Sequence, residues 1–112
     1  MLVEFLTSAG YCATGTESPG RAIRISEQSK PDVVLVDVCL PEMDGFELCR
    51  LIRASDDPPE ILIMTGAPVE ERYRRLAREH GAVDILQKPM DLDELSARID
   101  QLSTEKQTVR NF

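Results

Sequence analysis

The sequence predicts an α/β domain: a doubly wound parallel sheet with helices on both faces. Helical stripes and short apolar runs alternate along the chain in the order α-β-α-β-α-β-α-β-α, five helices and four strands. The runs at 33–38 and 61–65 are apolar at nearly every position, as in strands covered on both faces. A length of 112 residues makes one compact domain and not two.

The elements follow in order. Leu2, Phe5, Leu6 and Ala9 form a stripe at i, i+3, i+4 and i+7, with Gly10 just past its end. Residues 11–16 then read as a short strand. Ser18 followed by Pro19 starts a second helix, the proline sitting where its missing N–H costs nothing, and this helix runs to about Ser29. Lys30-Pro31-Asp32 turns the chain into the strand at 33–38. Asp44 and Glu47 make a capping pair for a third helix with Leu48, Leu51 and Ile52 inward. The loop Asp56-Asp57-Pro58-Pro59 leads to the strand at 61–65. Val69, Tyr73, Leu76, Ala77 and His80 mark one face of a fourth helix, ended by Gly81, and 83–86 is the last strand. Asp91 and Glu94 cap a fifth helix, with Met90 stapled to Leu95, and Leu92, Ile99 and Leu102 extend its apolar face. The domain is therefore expected over 1–102, and residues 103–112 read as a polar, frayed tail.

Composition narrows the function. The chain is 42% hydrophobic and 29% charged, as ordinary globular proteins are. Its 13 basic and 20 acidic residues leave a net charge of −7, which opposes direct nucleic-acid binding. Neither a membrane span nor a signal peptide is apparent in the sequence, so a cytoplasmic location is expected. Cys12, Cys39 and Cys49 lack metal-site spacing, and His80 is the only histidine, so zinc and disulfides are not expected.

In an open α/β sheet, ligands bind at the carboxyl ends of the strands. Asp37, Thr65 and Lys88 fall there on successive strands. A carboxylate, a hydroxyl and an ammonium at one sheet edge suit phosphoryl transfer, the first as nucleophile and the others as holders of phosphoryl oxygens. Each alone has a plainer explanation, as a turn residue, a strand former and a solubilising charge. Their coincidence at one end of one sheet favours chemistry.

The segment VVLVDVCLPEMDGFEL at 33–48, with MTG at 64–66 and QKP at 87–89, resembles the response regulator receiver domain, a flavodoxin-like fold. The resemblance covers residues 1 to about 102 and implies a two-component phosphorelay. Asp37 would accept a phosphoryl group from a phosphohistidine on a sensor histidine kinase or a phosphotransfer protein. Thr65 would swing toward the acyl phosphate, Lys88 would pair with it, and Pro89 would follow a cis peptide. Mg²⁺ would be held by Asp37 and the backbone carbonyl of Cys39. Such a domain modifies itself and is not an enzyme acting on an external substrate. Its output would pass through protein contacts, with a homodimer or an effector protein at the fourth and fifth helices, where Arg72, Arg74, Arg75 and Arg78 lie. Pairing of Glu70 with Arg74 and of Glu71 with Arg75 would neutralise much of that face.

Two departures qualify the resemblance. Receivers begin with a strand ending in an acidic pair that holds Mg²⁺, whereas this chain opens with a helical stripe, so the first strand and the pair are expected to be missing and Met1 to be an internal methionine. Asp37 alone makes a poor magnesium site. In the family's strand order the missing strand lies between 11–16 and 33–38, leaving a gap of about 10 Å with unpaired backbone on either side. The two strands then close up, or another chain supplies the strand, or the domain is unstable. Second, Ile85 stands where receivers often carry an aromatic ring. The competing function is a receiver-like interaction module that is not phosphorylated and has lost its magnesium-dependent chemistry. A dehalogenase-type phosphatase would need a second aspartate where Cys39 stands, and no phosphate-binding glycine loop occurs.

Overall fold

The computed structural model describes residues 2–40 and 42–110, with side chains through Ser103. Helices α1 (Leu2–Ser8) and α2 (Pro19–Ser29) precede strand β1 (Val33–Asp37). Then come α3 (Gly45–Arg53), β2 (Glu60–Thr65), α4 (Glu71–Glu79), β3 (Asp84–Gln87) and α5 (Leu92–Arg110). Met1, the expected internal methionine, and Pro41 of the 33–48 segment lie outside the described residues.

The strands form one parallel sheet in the order β1-β2-β3. Val36 pairs with Ile63, and Ile63 with Ile85. Side chains alternate between the two faces, and two apolar clusters result. One joins Val36, Ile61, Ile63 and Ile85 to Leu48, Cys49 and Ile52 of α3 and Ala77 of α4, with Ala22 and Ile23 of α2 against it. The other joins Leu62 to Leu95, Ile99 and Leu102 of α5, with Leu2 and Leu6 of α1, Val33 and Leu35 against it. The expected helices on both faces are thus α2, α3 and α4 on one side and α1 and α5 on the other.

The caps form as their sequences require. Ser18 accepts the Arg21 N–H, with Pro19 at the first helical position. Asp44 Oδ1 accepts the Glu47 N–H at 2.9 Å. Asp91 Oδ1 accepts from Asp93 and Glu94. Gly10 and Gly81, at φ of 100° and 96°, end α1 and α4 in the left-handed region.

Four expectations are corrected. The sheet has three strands among the described residues, not four, because residues 11–16 join no ladder. With no strand between them and β1, they have no neighbouring strand to pair with, and they do not close up on β1. Tyr11 is tied instead to α5, its hydroxyl within hydrogen-bonding reach of Asp100 and Ser96. Second, α5 continues to Arg110, beyond the last residue of its apolar stripe, where a frayed tail was expected from 103. Third, the pairs on α4 differ. Glu70 lies before the first helical turn, in extended backbone, and reaches Arg72 at 2.8 Å. Glu71 reaches two turns on to Arg78, and Arg74 turns to Asp84 at 2.6 Å. Fourth, of the residues expected inward on α3, Leu48 and Ile52 are buried but Leu51 is only partly so.

Candidate functional site

Asp37 ends β1, Thr65 ends β2 and Lys88 follows β3, so the parallel order of the sheet delivers all three to one edge with Thr65 on the middle strand. The Lys88 N–H donates to the Thr65 carbonyl at 2.7 Å, which fixes where the lysine leaves the sheet. Its Nζ then crosses to Asp37 Oδ2 at 2.5 Å, between residues 51 positions apart. The Lys88–Pro89 peptide is cis, as expected.

The other Asp37 oxygen, Oδ1, accepts the Cys39 N–H at 3.0 Å. Partial burial pushes the Asp37 carboxyl up, but the Lys88 hydrogen bond, the Cys39 N–H and the lysine's charge together outweigh it. The carboxyl is held below its ordinary range, and Asp37 is an anion at neutral pH. The Thr65 hydroxyl accepts from the Ala67 N–H at 3.1 Å and keeps its own hydrogen to donate. The hydroxyl is therefore bonded to its own loop rather than to the ion pair.

A residue not singled out from sequence completes the site. Gly45, the first residue of α3, donates its N–H to the Val38 carbonyl at 2.8 Å. A Cβ there would stand 2.2 Å from the Asp37 carbonyl oxygen and 2.9 Å from Val38 Cα. The start of α3 is thereby seated on the backbone that presents Asp37. In the sequence Gly45 stood out as a glycine directly after a helix cap, where glycine is otherwise a poor choice, and as the last residue of the motif that runs from Asp37 through Asp44.

The magnesium site fits less well. Both Asp37 oxygens are engaged, one by Lys88 and one by Cys39. Among the described residues no three His, Cys, Asp or Glu side chains are grouped to hold a metal ion. The Asp37 carboxylate and the Cys39 carbonyl remain as donors, too few to replace the oxygen shell of Mg²⁺ without help from water or substrate. The described residues do not build a resident magnesium site.

The thiols divide by environment. Cys12 and Cys39 are exposed, and Cys49 is buried, its Sγ donating to the His80 carbonyl at 3.3 Å. Burial pushes the Cys49 thiol up to about 11, against a small opposing effect of Arg53. His80 caps α4 with its ring against Phe46, the centroids 5.7 Å apart. Ile85 is buried in the cluster under α3 and α4. Among the described residues no helix is long and apolar enough to cross a membrane.

Comparison with known proteins agrees with this geometry. The response regulator receiver domain family matches residues 1–100. The transcriptional regulatory protein BaeR of Escherichia coli O6:H1 is 36% identical over 99 residues, 88% of this chain and 40% of its own length. The chain thus spans about two fifths of that relative. Among solved structures, the BeF3-activated receiver domain of Klebsiella pneumoniae RstA is 27% identical with a TM-score of 0.81, over 91% of this chain and 86% of its own. The receiver domain of the sensor histidine kinase PA1611 from Pseudomonas aeruginosa PAO1, with magnesium coordinated in its active-site cleft, is 28% identical with a TM-score of 0.78, over 90% of this chain and 84% of its own.

Proposed function

This chain belongs to the response regulator receiver domain family of two-component systems, and we propose that it is a phosphoacceptor whose reactive residue is Asp37. The observation that supports this is the Lys88 Nζ to Asp37 Oδ2 contact at the carboxyl ends of adjoining strands, with Thr65 between them. An Asp37 oxygen attacks the phosphorus of a phosphohistidine on a sensor histidine kinase or phosphotransfer protein. The P–N bond breaks, the imidazole leaves and takes up a proton, and an acyl phosphate forms on Asp37. Lys88, freed from the carboxylate, pairs with the phosphoryl oxygens, and the Thr65 hydroxyl donates to one of them. The protein is its own acceptor and does not turn over an external substrate. Its signal passes through protein contacts at α4 and α5, in the cytoplasm.

A second reading has its own support. Both carboxylate oxygens of Asp37 are already satisfied, and the described residues lack a metal cluster. The chain would then be an interaction module that keeps the site's shape without its chemistry. Incubation with a small phosphodonor, with and without Mg²⁺, followed by intact mass spectrometry separates the two. One phosphoryl adduct, lost in Asp37→Asn, is expected. A folded chain that takes up no phosphoryl group under either condition would establish the second reading.

A further inference from the structure

Two side chains at the end of the sheet hold one loop. Thr65 and Gln87 are paired across β2 and β3, so both leave the sheet on the face of Ile63 and Ile85, toward α3 and α4. Thr65 Oγ1 accepts the Ala67 N–H at 3.1 Å, and Gln87 Oε1 accepts the Val69 N–H at 3.4 Å. Between the two bonded residues stands Pro68, whose ring fixes its own φ and restricts Ala67 before it. The two N–H groups are therefore joined by a stiff link, and displacing one displaces the other.

Val69 is also where the start of α4 meets the rest of the domain. Glu70, at the N-cap position, makes no side-chain hydrogen bond to the first turn, so the capping that Ser18 and Asp44 give to α2 and α3 is missing here. The buried residue of α4, Ala77, lies in its second half. Its start leans on Val69, whose side chain packs on the apolar cluster and whose N–H is held by Gln87. Gln87 directly precedes Lys88, so the residue that holds the loop adjoins the one that meets Asp37.

We infer that Gln87 is a positioning residue for phosphoryl uptake. Its side-chain oxygen holds Val69 and, through Pro68, keeps the Ala67 N–H on the Thr65 hydroxyl, which restrains the turn of that hydroxyl toward Asp37. The inference rests on the reading of Asp37 as the phosphoacceptor. To donate to a phosphoryl oxygen, the hydroxyl turns from its own loop and gives up the Ala67 N–H. The loop then shifts, and the stiff link draws Val69 off Gln87. A side chain without an acceptor at position 87 therefore eases the turn and speeds phosphorylation, whereas general loosening of the site would slow it.

The test uses the 112-residue chain with acetyl phosphate and Mg²⁺, the adduct being followed over time by intact mass spectrometry. Gln87→Leu, close in size but without an acceptor, is expected to take up the phosphoryl group about threefold faster than the parent. Its Val69 amide is expected to exchange about threefold faster by NMR, the factor that one modest hydrogen bond supplies. Exchange at Ala77 and the thermal midpoint are expected to stay at parent values. A purely structural role would move both and slow the uptake. Gln87→Glu keeps an acceptor oxygen at the same reach, and is expected to restore both parent rates in about 0.5 M salt, where its added charge is screened. Parental uptake in Gln87→Leu, parental exchange at Val69, or no rescue by Gln87→Glu would overturn the inference while leaving Asp37 as the acceptor. A parent chain that takes up no phosphoryl group would overturn the reading of Asp37, and this inference with it. Should Gln87→Leu not fold, the parent decides: Val69 exchange that speeds on phosphorylation supports the restraint, and unchanged exchange overturns it.

Discussion

Gly45→Ala tests whether α3 is seated on the backbone of Asp37. In an ordinary helix this change stabilises, by about 0.5–1 kcal/mol, because alanine loses less chain entropy than glycine. Here the added Cβ would lie 2.2 Å from the Asp37 carbonyl oxygen and 2.9 Å from both Asp37 C and Val38 Cα. Contacts of a Cβ do not fall below 3.0 Å, and all three neighbours are backbone, so helix and strand must part by most of an ångström. Overpacking of this kind costs about 1–3 kcal/mol. Set against the helical gain, the net is a loss of about 0–2.5 kcal/mol, and the middle of that range lowers the thermal midpoint by roughly 5–10 °C in a domain of this size. Gly20→Ala is the internal reference. It also lies in the first turn of a helix, but its Cβ would meet only Ser18 Oγ at 3.9 Å, so it is expected to stabilise. Thermal melts by circular dichroism of the two variants are therefore expected to move in opposite directions from the parent. A Gly45→Ala melt at or above the parent would refute the seating of α3 on β1. The same variant is expected to take up phosphoryl groups more slowly, because parting the helix from the strand displaces Asp37.

Three further outcomes follow from the contacts described. The Asp37 carboxyl sits below its ordinary range, so its ion pair stabilises the fold above the unfolded-state value and is lost as pH falls through the folded-state value. Lys88 and Asp37 are 42% and 34% exposed in their side chains, so the effect is under about 1 kcal/mol. An NMR titration is expected to place the Asp37 carboxyl higher in Lys88→Met than in the parent, and an unchanged midpoint would remove the lysine as the cause. Thiol titration at pH 8 without denaturant is expected to modify Cys12 and Cys39 quickly and Cys49 only on unfolding, since Cys49 is buried and its thiol is pushed up to about 11. Tyr11→Phe removes the hydroxyl that bonds to Ser96 and Asp100 and is expected to cost about 0.5–1.5 kcal/mol in urea denaturation. No loss there would mean that the segment after α1 is not held to α5.

What was legible in the sequence was what neighbouring residues decide. The caps at Ser18, Asp44 and Asp91, the glycine stops at 10 and 81, and the two-faced apolar strands all depend on residues within a turn or two of one another. The convergence of Asp37, Thr65 and Lys88 was legible because a parallel sheet sends every strand's carboxyl end to the same edge. Features set by distant partners were not legible. Residues 11–16 have the composition of a strand, but a strand exists only beside another, and none lies there among the described residues. Arg74 obeys no helical spacing because its partner, Asp84, is on β3. Gly45 looks like a weak helix start until the strand behind it is seen.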